Sequence, residues 1–129
     1  MAQIKVYGLG ERLRPRREQL SDVLHSCVVD AFAYPADKRA HRFFHLDEDD
    51  FLMPDGRTAD YTIVEIALFS GRTVAAKKEL YRLIFDRFER TLGIAPIDVE
   101  VTLFESPMHD WAMRGLPGDE LDLPYRVDV

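Results

Sequence analysis

The side chains that could do chemistry in this 129-residue chain are few, and their spacing removes most of the familiar options. His41 and His45 stand four residues apart, the spacing of a zinc pair on a helix. They fall in a short aromatic run, His41 to Leu46, that reads as a strand, where that spacing puts them about 13 Å apart and out of reach of one metal. His25 and His109 have no partner close in sequence and are expected to be satisfied or exposed. Asp47, Glu48, Asp49 and Asp50 form an acidic run without the spaced ligands and central glycine of a calcium loop, so it reads as solvated. Cys27, the single cysteine, lies on an apolar helical stripe, where a small core residue is expected rather than a nucleophile. Neither a glycine-rich phosphate loop nor a nucleophile elbow occurs. No metal and no cofactor is therefore expected. What remains is Arg72 at a strand-to-helix junction, where a planar guanidinium either caps a loop or grips an anion.

These residues need a frame. Gln3 to Leu9 alternates in apolar character and predicts a strand. Pro15 is placed to open a helix whose stripe is Leu20, Val23, Leu24, Cys27, Val28, Ala31 and Phe32, ending before Pro35. After the strand at His41 to Leu46, residues 47–60 centre on Pro54-Asp55-Gly56 and read as a loop or small hairpin. Tyr61 to Phe69 is a strand apolar on both faces. A second helix follows with the stripe Tyr81, Ile84, Phe85, Phe88 and Leu92, closed by Gly93. Val99 to Phe104 is a further strand, and the tail beyond Pro107 is irregular, with room for a terminal strand.

The two helical stripes coincide when shifted by sixty positions: Leu20 falls on Leu80, Val23 on Leu83, Leu24 on Ile84, Val28 on Phe88 and Phe32 on Leu92. One βαβ unit thus occurs twice. Right-handed crossovers related by a pseudo-twofold place both helices on one face of a four-stranded mixed sheet, an α+β architecture in a single domain spanning residues 1–129. Because Ile63, Ala67 and Phe69 alternate with Val64, Ile66 and Leu68, the opposite sheet face is expected to be apolar as well and to want a partner, which predicts an oligomer.

This arrangement resembles the tautomerase superfamily, and most closely its malonate semialdehyde decarboxylase-like branch. The resemblance is carried by Ala31-Phe32-Ala33-Tyr34-Pro35-Ala36-Asp37, Phe69-Ser70-Gly71-Arg72-Thr73, Gly93-Ile94-Ala95-Pro96 and Asp110-Trp111, in that order along nearly the whole chain. It implies a cytoplasmic homotrimer with active sites near subunit contacts. It implies a small 2-oxo or 3-oxo carboxylic acid as ligand, and tautomerisation, decarboxylation or hydration as chemistry. The family is known for an amino-terminal proline that works as base or acid once the initiator methionine is gone. Ala2 stands at that position, so the implied base is the primary amine of Ala2, whose pKa of about 7.7–8.0 suits proton transfer near neutrality. Arg72 matches an arginine that holds substrate carboxylate, while its companion arginine is Ser70 here. The branch's catalytic aspartate falls on Lys38, with Asp37 adjacent; the bland reading of that pair is a solvated loop. Trp111 keeps its place as an apolar wall, and Met113 stands where an aromatic residue is more usual.

Composition narrows the partners. Hydrophobic residues make up 47% of the chain and charged residues 31%, a globular balance. Seventeen Lys and Arg against twenty-three Asp and Glu leave a net charge of −6, which repels phosphate backbones and anionic lipid, so neither nucleic acid nor membrane is an expected partner. The longest apolar stretch, Ile63 to Phe69, is interrupted by Glu65 and is far below the ~18 residues of a membrane span. Two readings stand side by side: a diverged enzyme of this superfamily, and a trimeric binding or interaction protein that keeps the fold without its catalytic proline.

Overall fold

The computed structural model describes residues 2–129. The first strand, β1 (Ala2–Leu9), turns Ala2, Ile4 and Val6 inward and Gln3, Lys5 and Tyr7 outward, as the period of two dictates. A single helical turn, α1 (Gly10–Leu13), follows, with Leu13 buried. Pro15 does not open the long helix. It sits inside a 3-10 turn over Arg14–Arg16, Arg16 leaves the helical region at φ −118° and ψ 13°, and α2 (Arg17–Phe32) starts one residue later. The helix ends on Ala33 in the left-handed region at φ 49°, a conformation that costs a non-glycine residue about 1 kcal/mol and turns the chain so that Tyr34 points into the core.

The strand β2 (His41–Leu46) returns parallel to β1, with Ile4 opposite His41 and Leu9 opposite Leu46. After the acidic loop, β3 (Thr62–Phe69) runs antiparallel to β1, from Gly8 opposite Thr62 to Ala2 opposite Leu68. The helix α3 (Val74–Leu92) is capped by the Thr73 hydroxyl, which accepts from the Ala76 N–H at 3.1 Å, and is closed by Gly93 at φ 69°. Finally β4 (Val99–Ser106) pairs parallel with β3, completing the order β2-β1-β3-β4. β1 and β3 are each eight residues long and begin sixty positions apart, so the shift seen in the helical stripes extends to the central strands.

Both helices pack on one sheet face. Leu20, Leu24 and Val28 of α2 and Leu80, Ile84 and Phe88 of α3 are buried with Ile4, Val6, Val64, Ile66 and Leu68 beneath them. Each fully buried side chain of this kind contributes about 1.5–3 kcal/mol. The opposite face corrects the sequence expectation of a second apolar surface. It carries Ile63, Glu65 and Ala67 of β3 beside Tyr7, Lys5 and Gln3 of β1, so polar and apolar groups alternate across strands. There the Tyr7 hydroxyl donates to Glu65 at 2.7 Å and its ring stacks on Phe44 at 4.8 Å. Phe69 is not part of that face, because the tail covers it and Trp111 meets it edge-on at 5.1 Å. The tail itself forms a two-residue hairpin, β5 (Ala112–Met113) with β6 (Leu116–Pro117). Among the described residues, no helix is long and apolar enough to cross a membrane.

Candidate active site

The sharp turn at the β3–α3 junction sets the position of Arg72. Gly71 takes φ 136°, which L side chains rarely adopt, and the next side chain is driven inward beneath the first unit. Arg72 is 5% exposed, with its Cζ 5.1 Å from the centroid of the Phe32 ring. Its Nη1 donates to the Phe69 carbonyl at 3.2 Å, the Tyr125 hydroxyl is a further hydrogen-bond partner, and its buried Nε has no partner among the described residues. No carboxylate lies within ion-pair distance of it among the described residues, since nearby Glu105 is engaged by Lys77. Burial of a guanidinium without a counter-ion costs several kcal/mol, and it pulls the Arg72 pKa below its ordinary value, opposed by Tyr125, Tyr34 and Glu105. Arg72 is thus a buried cation without a carboxylate partner among the described residues.

Two phenols stand beside it. Tyr34, 4% exposed, accepts a hydrogen bond from the Ala2 backbone N–H at 3.1 Å, and the Tyr125 ring meets it edge-on at 5.2 Å. Burial raises the pKa of Tyr34, and burial together with Tyr34 pushes Tyr125 up to about 12. Both hydroxyls are therefore neutral near pH 7, and they are hydrogen-bonded to each other. Tyr34 links the two anchors of the site: it is bonded to Ala2 and feels the charge of Arg72.

Asp37 is exposed, close enough that its charge raises the Tyr34 pKa. Lys38 is half-buried, and its N–H closes a turn on the Pro35 carbonyl at 3.2 Å. Trp111 is half-buried and anchored by Nε1 donating to the Ser106 hydroxyl at 2.9 Å, while Met113 follows it on β5. Tyr34 and Tyr125 were not among the expected site residues. Tyr34 could have been found from its place between a helix end and Pro35; Tyr125 carried no local signal.

Of the four histidines, three have a partner or solvent, while the buried His45 Nδ1 has no hydrogen-bond partner among the described residues. His25 Nε2 lies 2.8 Å from the Ala36 carbonyl, and His41 Nδ1 lies 2.7 Å from the Ser21 hydroxyl. His109 is exposed beside Asp110. Among the described residues, no group of three or more His, Cys, Asp or Glu side chains is arranged to hold a metal.

A family model described as tautomerase enzyme matches residues 38–114, more than half the chain. The chain belongs to the tautomerase family. This tautomerase-family chain is 30% identical over 100 residues to the probable tautomerase YrdN of Bacillus subtilis (strain 168), covering 74% of this chain and 77% of that protein. Among solved structures it superimposes on malonate semialdehyde decarboxylase with a TM-score of 0.78 and 27% identity, over 86% of this chain and 89% of that one. Native fused 4-OT matches with a TM-score of 0.82 over 92% of this chain and 98% of its own, at 18% identity, a likeness of fold. The α+β sheet with two helices on one face is thus the tautomerase-family fold, as the shifted stripes predict.

Proposed function

We propose that this protein acts on a small 2-oxo or 3-oxo carboxylic acid by tautomerisation, decarboxylation or hydration. The observation that carries this reading is the buried Arg72 guanidinium, unpaired at Nε and bordered by Tyr125 and Tyr34, the latter hydrogen-bonded to the Ala2 nitrogen. Arg72 holds the ligand carboxylate through charge-assisted hydrogen bonds. The Ala2 nitrogen handles the proton, which requires that Met1, outside the described residues, be removed so that a peptide N–H becomes an amine. Tyr34, as a neutral donor next to both, stabilises oxygen-centred charge as it develops. Asp37 and Lys38 border the approach, and Trp111 with Met113 excludes water. The structurally similar malonate semialdehyde decarboxylase has decarboxylase and hydratase activities, which supports this class of reaction. No cofactor enters it.

We also place the assembly as a homotrimer in the cytoplasm. Trimeric fused 4-OT shares the fold, and the open sheet face offers a shallow depression of about 230 Å³ lined by Gln3, Lys5, Glu65, Ala67 and Phe104. A second reading is a trimeric binding protein without catalysis. It is favoured by Ala2 in place of proline and by the near-complete burial of Arg72.

The test combines intact mass, which reports whether Met1 remains, with turnover of phenylenolpyruvate by the parent, Ala2→Pro and Arg72→Ala. Turnover by the parent that Arg72→Ala abolishes supports the enzyme. An inert parent with an active Ala2→Pro means that the pocket persists and the base is lost. Inertness of both, with ligand binding indifferent to Arg72→Ala, ends the catalytic reading.

A further inference from the structure

The end of the tail lies across the site. Along residues 125–129 exposure alternates: Tyr125, Val127 and Val129 turn inward, while Arg126 and Asp128 face out and pair with each other at 3.0 Å. The inner edge touches three successive residues of the β3–α3 junction. A Cβ placed on Gly71 would meet the Val127 carbonyl oxygen at 2.8 Å, so the strap lies directly on that glycine. The Tyr125 hydroxyl reaches the Arg72 guanidinium as a hydrogen-bond partner. The Thr73 N–H donates to the Val129 backbone oxygen at 2.9 Å. On its other side the Tyr125 ring caps Tyr34.

We propose that residues 125–129 are an autoinhibitory strap, and that the Tyr125 phenol occupies the place on Arg72 that a ligand carboxylate must take. The inference rests on Arg72 as the carboxylate holder. A neutral phenol is a weaker partner for a guanidinium than a carboxylate, so an incoming acid displaces it at Arg72. The strap is bound by few contacts and belongs to the part of the fold that opens most easily. Apparent affinity is then reduced by the fraction of time the strap is lifted, and Tyr125 sets that fraction.

Binding of pyruvate, followed by the fluorescence of Trp111, the single tryptophan, tests this in the parent, Tyr125→Phe and Tyr125→Ala. Tyr125→Ala is expected to bind about tenfold more tightly than the parent, with Tyr125→Phe between them. Hydrogen exchange of the unaltered protein gives an independent readout: saturating pyruvate should speed exchange of the Thr73 amide, which the strap's Val129 oxygen holds. Equal or weaker binding by Tyr125→Ala, or slower exchange with ligand present, overturns the strap. Adding Arg72→Ala to Tyr125→Ala separates the two ideas. If tight binding survives that change, the carboxylate reading of Arg72 fails; if it vanishes while Tyr125 has no effect in the parent, the strap alone fails.

Discussion

The two halves of the molecule place an arginine at the same point of the repeat and treat it in opposite ways. Arg12 follows β1 as Arg72 follows β3, sixty positions apart. The Arg12 side chain is 56% exposed and lies 3.8 Å from Asp60, which also takes Arg16 at 2.6 Å. Nearby polar groups of the first unit are likewise mutually engaged: Arg39 bonds Asp22 at 2.6 Å, and Ser21 bonds His41. Arg72 is buried, has no carboxylate of its own and leaves Nε unpartnered. One junction is thus neutralised from within, and the other leaves its buried guanidinium without a carboxylate among the described residues. The backbone differs between the two junctions as well: Arg12 lies within the helical turn α1, while Arg72 follows Gly71 at φ 136° outside any helix or strand.

Replacing each arginine is the most direct way to break this comparison. Arg72→Met should weaken pyruvate binding at least about a hundredfold, since it removes one partner of a buried charge-assisted pair, whereas Arg12→Met should change it within about twofold. Titration calorimetry on both variants decides it, and equal effects would erase the distinction. Tyr34→Phe comes next, because the buried Ala2 N–H loses its acceptor; we expect a loss of about 1–3 kcal/mol in urea denaturation. Asp60→Asn should cost about 1 kcal/mol or less through Arg16 and leave ligand binding untouched, as a structural pair should.

The smallest effect is a pH dependence in the first unit. Burial, with help from Arg39 and His25, lowers the His41 pKa from 6.5 to about 4. The unfolded chain therefore binds more protons than the folded one between these values, so the contribution of His41 is complete above pH 6.5 and is lost as pH falls toward 4. Urea melts across this range should show a steeper decline for the parent than for His41→Gln. Pyruvate affinity should not follow that slope if the two regions are independent.

Much of the frame was legible because it depends on periodicity. The shift of sixty, the αL glycine at Gly93 and the Thr73 junction all express local rules of helix spacing and capping, and all reappear in the structure. Pro15 was misplaced because a proline suits a 3-10 turn as well as a first helical turn. The sheet's open face was misjudged because parity along β3 ignores its neighbours: Tyr7, Lys5 and Gln3 on β1 make that face mixed, and Trp111 removes Phe69 from it. Within the site, Arg72 was named from its strand-to-helix junction and Ala2 from the family resemblance. Tyr34 and Tyr125 were not, because their meeting joins a helix end to the far tail.

The amino-acid sequence by itself determined the repeated βαβ unit, its helical faces and the residue types at each junction, since these follow from the spacing of apolar and turn-forming side chains along a few turns of chain. Tertiary structure alone decided which arginine finds a carboxylate, which tyrosines surround the other one and what covers it. Those outcomes depend on charge, burial and contact between segments far apart in the chain, and no local pattern encodes such a balance.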